Sequence, residues 1–169
     1  MSEFKEISLY EIKDNLAKLI SKDWMLVTAG TLDNFNMMTA NWGTLGYLWQ
    51  KEIAICFVRP VRHTYQFTEM HDFFTLTFFE EKYRDILRVM GTKSGRDMNK
   101  MTDSGLTPTA GKTGLVYFEE ARIVMECRKI YFQDIKPENF LLPEIDKEYP
   151  QKDYHRMYIG EVVNCLVRA

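Results

Sequence analysis

The sequence lacks the features of a membrane protein and of a nucleic-acid-binding protein. It has no run of about eighteen consecutive apolar residues, the length that a membrane-spanning helix needs. Lys and Arg number 22 against 24 Asp and Glu, and the basic residues are dispersed, so neither nucleic acid nor a membrane surface is an expected partner. The N-terminus also has no apolar core of signal-peptide length. We therefore predict a cytoplasmic protein.

Cysteine and histidine are scarce, with three of each. Cys56, Cys127 and Cys165 lie far apart inside apolar runs, and we interpret them as buried core residues, not as disulfide partners or metal ligands. The histidines show neither a two-His helical spacing nor a carboxylate partner at a motif distance, so no metal site is predicted. The absence of a Gly-x-Gly-x-x-Gly segment argues against a Rossmann domain.

The sequence also lacks a linker rich in Pro, Gly or Ser, so its 169 residues are predicted to form one domain over residues 1–169. The segment from Gly105 to Thr113 ends like a Walker phosphate loop. Its first glycine lies one residue too early, however, and a polar stretch stands where a buried strand is required. We interpret this segment as a turn or a hairpin connection.

Apolar periodicity predicts two helical stripes. The first follows the capping-box spacing of Ser8–Glu11 and predicts an N-terminal helix over about residues 8–20. The second runs from Phe79 to Met90, and Gly91 is predicted to be its left-handed C-cap.

The apolar patterns predict more strands than helices, and the short connections between the strands favour an antiparallel meander or barrel. In the strand predicted at residues 121–134, the apolar side chains change from one face to the other near Arg128–Lys129, where we predict a bulge. In the last strand Ile159, Val163, Cys165 and Val167 are predicted to share one face. Strands are predicted at residues 24–30, 37–42, 53–59, 73–79, 121–134 and 158–167.

The stretch from Arg59 to Tyr65 joins an apolar run of strand length to a segment without helix breakers. Pro60 ends the strand because proline has no N–H for the ladder, and a helix is predicted to begin near Thr64. The first amides of a helix are unpaired and carry partial positive charge. Two guanidinium groups and a hydroxyl at such a junction predict an anion site, first of all for a phosphate. The alternative is that Arg59 and Arg62 are surface charges with carboxylate partners.

Three further segments, Asn34–Gly43, Gly91–Lys100 and Tyr154–Val162, complete a pattern with this stretch. In order and spacing the four segments resemble the flavin reductase-like family, and especially its flavoredoxin-type members. The resemblance runs from about Trp24 to the C-terminus and implies a mainly β fold, an antiparallel FMN-binding split barrel with peripheral helices. The segment Trp49–Glu52 departs from the family, because many members have an acidic residue followed by two prolines there.

The resemblance implies FMN as the cofactor and assigns two groups of residues to it. For Trp42, the alternative is core packing or a dimer contact. The residues implied along the flavin ring are Asn36, Thr39, Ala40, Asn41 and Trp42. Those implied around the phosphate are Arg59, Arg62, His63, Thr64, Lys93, Ser94 and Lys100.

His155 is the candidate catalytic residue. The resemblance places it near the flavin face at which a nicotinamide arrives, where it either positions the donor or supplies a proton to reduced flavin. The alternative is a surface or structural histidine before a strand.

Three functions stay open on the sequence. The first is a reductase of flavin or another electron acceptor, with NADH or NADPH as a transient hydride donor. The second is a flavoredoxin-like electron carrier that is reduced by a protein donor, and the third is a non-catalytic FMN-binding protein. The electron donor or acceptor is thus a small molecule or a protein, and the resemblance also implies a homodimer.

Overall fold

The computed structural model describes residues 4–111 and 113–169. The first three residues of the N-terminus and Lys112, the lysine of the Walker-like segment, lie outside the described residues. The helices in the described part are α1 Leu16–Lys18, α2 His63–Met70, α3 Arg84–Thr92 and α4 Lys100–Asp103. The strands are β1 Phe4–Ile7, β2 Met25–Thr31, β3 Asn34–Ala40, β4 Gly43–Leu48, β5 Lys51–Val58, β6 Phe73–Phe78, β7 Pro108–Ala110, β8 Val116–Phe118, β9 Ile123–Asp134 and β10 Arg156–Arg168.

One large antiparallel sheet dominates the fold. Its strand order is β3-β2-β6-β9-β10-β5-β4, and β1 pairs with the C-terminal half of β10. Strands β7 and β8 form a separate antiparallel hairpin, which confirms the hairpin interpretation of the Walker-like segment. The predicted mainly β, antiparallel fold with peripheral helices is therefore confirmed.

The core lies on both faces of β2. Met25, Val27 and Ala29 pack into one apolar cluster, whereas Leu26 belongs to the second, because successive side chains of a strand point to opposite faces. Residues of α3 and β8 cover the second cluster. Strand β2 consequently reads as an almost continuous buried run.

The prediction of one N-terminal helix over residues 8–20 is wrong. The capping box is present, but it starts only a 3₁₀ turn, Leu9–Glu11. The hydroxyl of Ser8 and the amide of Leu9 both donate to the Glu52 carboxylate of β5, at 2.6 and 2.7 Å. A second cap at Asn15 then begins α1, which continues into a π turn, Leu19–Asp23. Hydrogen bonds to the sheet therefore replace a continuous helix.

The left-handed C-cap predicted at Gly91 is also wrong. Gly91 lies inside α3, which ends at Thr92, and its φ is not positive. A Cβ at this position would lie 3.2 Å from the Cβ of Thr39. The missing side chain thus allows α3 to pack closely on β3.

Two bulges interrupt the pairing of β9 with β10. The first leaves Ile130 without a partner, between the pairs Ile159–Tyr131 and Gly160–Lys129, and it confirms the bulge predicted beside Arg128–Lys129. The second lies at Val163 and changes the parity of β10, so that Val163 is exposed while Cys165 is buried. The regular alternation predicted for the last strand is therefore wrong at Val163.

The segment that departs from the family forms a tight hairpin turn between β4 and β5. Trp49 and Gln50 have φ values of 51° and 59°, the left-handed pair that a two-residue hairpin turn of type I′ requires. Neither residue is the glycine or asparagine that such a turn prefers, so the sequence carried no signal for it. Strand β4 was missed for the same reason.

The three cysteines are buried and free, as predicted. Across residues 4–111 and 113–169, every helix is too short or too polar to cross a membrane.

Candidate functional site

A cleft of about 460 Å³ opens where β3, β5, the start of α2, the loop after α3 and the residues before β10 meet. Twelve of the thirteen residues predicted from the sequence line this cleft, and Asn36 is the exception. The twelve are Thr39, Ala40, Asn41, Trp42, Arg59, Arg62, His63, Thr64, Lys93, Ser94, Lys100 and His155.

The start of α2 has the predicted form. Pro60 follows β5, Arg62 takes an extended conformation at the N-cap, and the helix begins at His63. The unpaired amides of its first turn therefore lie at the cleft. The Thr64 hydroxyl donates to Oδ1 of Asn36 at 2.8 Å inside the protein, so what Thr64 offers to a ligand is its main chain.

Arg62 keeps most of its guanidinium available. One nitrogen, NH1, donates to the carbonyl of Gly91 at 2.6 Å, and the other N–H groups have no partner among the described residues. Burial, and then the charge of Arg59, lowers the pKa of Arg62, but a guanidinium remains protonated at neutral pH. Arg62 is thus a half-buried cation with free donors at the cleft wall.

Arg59 is placed differently. Its NH1 donates to both carboxylate oxygens of Asp153 at 3.2 Å, and its NH2 donates to the carbonyl of Glu148 at 2.9 Å. The guanidinium carbon also lies 5.0 Å from the ring centre of Tyr149. The alternative of a carboxylate partner therefore holds for Arg59, whose role at a phosphate stays a prediction.

The loop after α3 closes one side of the cleft. Its Ser94 hydroxyl accepts from the Arg96 amide, and the Arg96 guanidinium donates to the carbonyl of Val61, both at 3.1 Å. At Gly95 a Cβ would lie 2.2 Å from Nδ2 of Asn36 and 2.7 Å from the His63 ring. Only glycine therefore fits where the loop crosses β3 and α2.

Lys100 supports this loop from below. It is only 3% exposed, and its Nζ donates to the carbonyls of Met37 and Met90 at 2.9 and 2.8 Å. Burial, and then the charge of Arg62, lowers the pKa of Lys100 to about 8. Lys100 therefore joins β3 to α3 in addition to lining the cleft, a role that no sequence pattern indicates.

Asn36 lies behind the cleft, in an adjoining cavity of about 430 Å³ that shares His63, Gly95 and Lys100 with it. Nδ1 of His63 is buried and has no hydrogen-bond partner among the described residues. Burial, and then the charges of Arg96 and Lys100, lowers the pKa of His63.

Three aromatic rings form the opposite end of the cleft. The ring centres of Trp42 and His155 are 5.0 Å apart, and those of Phe57 and His155 are 6.2 Å apart. Trp42 is 38% exposed, so one part of its indole faces solvent. Nearby, the Thr39 hydroxyl donates to the carbonyl of Leu87 at 2.5 Å, and so it is turned towards α3.

His155 is buried, and its Nδ1 lies 2.9 Å from the hydroxyl of Tyr149. Burial, and then the charge of Arg59, lowers the pKa of His155 to about 4. The imidazole is therefore neutral at neutral pH, which argues against the proton-supplying role and leaves the positioning role. Tyr149 was missed by sequence reasoning, because it lies outside all four recognised segments.

The comparisons with known proteins agree with this fold. The model of the flavin reductase like domain matches residues 18–169. No curated protein sequence matches the chain.

Several solved structures share the fold at low sequence identity. An FMN-binding domain of a flavin reductases-like enzyme from Shewanella baltica has a TM-score of 0.71 at 16% identity, covering 99% of this chain and 78% of that one. Flavoredoxin of Desulfovibrio vulgaris has a TM-score of 0.67 at 22% identity, covering 96% and 76%. An NADH:FAD oxidoreductase of Streptomyces globisporus in complex with NAD and FAD fragments has a TM-score of 0.65 at 18% identity, covering 87% and 74%. The match over residues 18–169 shows that this chain belongs to the flavin reductase like domain family.

Proposed function

We propose that the protein binds FMN in the cleft and acts as an oxidoreductase that reduces flavin or another electron acceptor with NADH or NADPH. One observation carries the proposal: the cleft joins a cationic end, at Arg62, Lys93 and the start of α2, to an aromatic end at Trp42 and His155. Its volume of about 460 Å³ lies within the range of roughly 300–1,000 Å³ typical of ligand pockets.

The donors at the cationic end fit a terminal phosphate. Arg62 has guanidinium N–H groups without a partner among the described residues, the first turn of α2 supplies amides, and Ser94 and Lys93 face the same space. Arginine and helix N-termini bind phosphate by charge-assisted and main-chain hydrogen bonds. Nδ1 of His63, which is buried and has no partner in the described part of the chain, is a further polar atom beside this region.

The aromatic end fits a flat ring system. Trp42 would border the ring, and the main chain from Thr39 to Asn41 would offer it hydrogen bonds. When FMN is bound, it supplies hydride acceptance and the release of electrons in one or two steps, whereas the protein supplies anchoring, orientation and an open face. The relative from Shewanella baltica is described as FMN-binding, which supports the same cofactor here.

A nicotinamide donor is supported by the relative that was solved with NAD and FAD fragments. In the present chain the neutral His155 lies at the aromatic end of the cleft, where it is suited to orient an arriving ring. Hydride transfer requires neither a nucleophile nor a triad.

The test begins with the purified protein. We expect it to be yellow and to release FMN, not FAD, on denaturation. FMN-loaded protein mixed without oxygen with NADH, and separately with NADPH, should lose its flavin absorbance with at least one of them. A colourless protein that does not take up FMN at micromolar concentration would contradict the proposal.

A flavoredoxin-like electron carrier is the second candidate. The connection between β9 and β10, which carries Tyr149 and His155, also exposes Leu141 and Leu142, which are 94% and 57% accessible. Exposed apolar residues on a connection that also carries a residue of the cleft favour a protein partner. A protein that binds FMN but keeps its flavin absorbance with both nicotinamides would favour this function.

We also propose a homodimer, in line with the family. Tyr47, Trp49 and Tyr131 are large, exposed side chains on β4, on the turn after it and on β9, and the Trp49 ring contacts Tyr131 at 5.9 Å. Clustered exposed aromatics are typical of interfaces. Light scattering should give twice the chain mass for the wild type and the chain mass for Tyr131→Glu, and a wild-type monomer would contradict the proposal.

A further inference from the structure

Tyr149 lies outside the motifs of the family and yet contacts the candidate catalytic residue. It follows a 3₁₀ turn, Pro143–Glu148, in the connection between β9 and β10. Its side chain is only 2% exposed, and rings of Phe140 and Tyr154 pack on it at 6.2 and 4.9 Å. Its hydroxyl is thereby held 2.9 Å from Nδ1 of His155.

The direction of this hydrogen bond follows from the surroundings. The main-chain amide of His155 acts on the Tyr149 hydroxyl as a hydrogen-bond donor, and among the described residues Nδ1 of His155 is the one partner that can accept the hydroxyl proton. If Nδ1 carried the proton and donated it, the buried hydroxyl proton would be left without an acceptor, which is costly. The Tyr149 hydroxyl therefore donates, and Nδ1 accepts.

The other ring nitrogen of His155, Nε2, is the one available to a ligand in the cleft. Nε2 has no protein partner among the described residues and is not among their buried unpartnered atoms, and His155 lines the cleft. A neutral imidazole has one N–H, so acceptance at Nδ1 places the proton on Nε2.

The charges around the ring agree with a neutral imidazole. Arg59 lies over the ring of Tyr149 and its charge disfavours an imidazolium, as that of Arg62 does to a smaller extent, whereas Asp153 acts in the opposite sense. Asp153 is paired with Arg59, and no hydrogen bond joins Asp153 to His155 among the described residues.

We propose that Tyr149 is a positioning residue, which holds His155 as the Nε2–H tautomer so that His155 donates a hydrogen bond to a carbonyl oxygen in the cleft. The proposal rests on the proposed function for its ligand. The chemical class is an electron donor or acceptor with a carbonyl group, such as the carboxamide of a nicotinamide.

The tautomer is measured by imidazole ¹⁵N NMR of the purified protein at neutral pH, an experiment that needs neither FMN nor a nicotinamide. The wild type should show a protonated Nε2 and an unprotonated, hydrogen-bonded Nδ1 for His155. Tyr149→Phe should give exchange between both tautomers. Tyr154→Phe is the matched control, because it removes a neighbouring hydroxyl that donates to Asp146 and does not touch His155.

The kinetic test uses a double-mutant cycle with His155→Gln, whose amide nitrogen supplies a donor in place of Nε2 without tautomers. At matched FMN occupancy, Tyr149→Phe should slow reduction by the nicotinamide that reduces the wild type about three- to tenfold, the effect of one neutral hydrogen bond. In the His155→Gln background the same change should alter the rate less than about twofold. Tyr154→Phe should leave the rate near wild type.

Two kinds of result overturn the proposal. One is an Nδ1–H tautomer in the wild type, or a spectrum that Tyr149→Phe leaves unchanged. The other is an equal loss of rate in both backgrounds, which means that Tyr149 acts through the fold. If neither nicotinamide reduces the wild type, the proposed function fails, and the NMR experiment alone decides the role of Tyr149.

Discussion

Arg59 and Arg62 belong to one short motif and yet lie in two different environments. Arg59 is neutralised by Asp153 and packs on Tyr149 at the aromatic end of the cleft. Arg62 donates to one main-chain carbonyl and has no carboxylate partner among residues 4–111 and 113–169. The charge of Arg62 at the cationic end is thus available to a ligand. The charge of Arg59 at the aromatic end is instead paired within the protein.

The two arginines should therefore affect different properties: Arg62 the affinity for an anionic ligand, and Arg59 the protonation and placement of the rings beside it. Charge that is free at a half-buried site strengthens binding of an anion, because a charge-assisted hydrogen bond is stronger than a neutral one. Charge that is paired within the protein instead fixes neighbouring rings and changes their protonation. We therefore expect substitutions at the two ends to have different effects.

The largest expected effect concerns the buried histidine of the aromatic end. The pKa of His155 is about 4 in the folded protein against an ordinary value of 6.5, so between these values the folded state binds fewer protons than the unfolded chain. Its contribution to stability is complete above pH 6.5 and falls as the pH drops towards 4, by about 3 kcal/mol in all. Urea unfolding at several pH values should show that the free energy of unfolding falls less at acid pH for His155→Gln than for the wild type.

His71→Gln is the control for this experiment, because His71 follows α2 and does not line the cleft. If the wild type and His155→Gln lost the same free energy of unfolding at acid pH, the environment of His155 would not disfavour its charged form.

At the cationic end, Arg62→Ala should weaken FMN binding by about 1.5–3 kcal/mol, or ten- to a hundredfold, through the loss of a charge-assisted contact. Riboflavin, which has no phosphate, should be affected much less, and titration of the protein with both ligands measures the ratio. Arg59→Ala should change that ratio less than about threefold, because its charge is already paired. A larger change for Arg59 than for Arg62 would reverse the comparison.

The loop that closes the cationic end gives a smaller effect on stability. Gly95→Ala places a methyl group against Asn36 and His63, and such overpacking costs about 1–3 kcal/mol. Gly46→Ala is the matched control, since a Cβ there meets no atom within 4 Å. Thermal unfolding of the two variants at equal FMN content compares them. If both melted alike, the close approach of the loop to β3 would be refuted.

The smallest effect concerns the rate of flavin reduction. His155→Ala should slow reduction by the nicotinamide about tenfold through loss of a neutral hydrogen bond, less than the hundredfold or more of a general acid. FMN content should stay near that of the wild type, because His155 is neutral and is not one of the phosphate donors proposed at Arg62 and Lys93. Rapid mixing at matched FMN occupancy measures the rate, and a loss of FMN together with stability would indicate a structural role.

Local patterns predicted much of the fold and the place of the site. The strand before Pro60 and the helix after it were predicted because proline and apolar periodicity act within a few residues. The bulge beside Arg128–Lys129 followed from a change of parity along one strand. Most residues predicted from the resemblance do line one cleft, and their binding of FMN stays a prediction.

Other features had no local signal. The N-terminal helix was replaced by separate turns because Glu52 of β5 competes for Ser8 and Leu9. Gly91 was misread as a cap because its closest neighbour, Thr39, comes from a distant strand. The hairpin turn at Trp49 and Gln50 uses residues that rarely adopt its geometry.

The sequence by itself determined the strand-rich fold and the helix start beside two arginines, because these depend on periodicity and on the residue types in short segments. The gathering of four separate segments at one site was implied by the resemblance to the family. Only the tertiary structure decided which charges remain free: it paired Arg59 with Asp153, buried Lys100 between two carbonyls and placed Tyr149 on His155. Those partners lie far apart in the chain or outside any motif. Desolvation and pairing depend on the surrounding packing, which a local pattern does not contain.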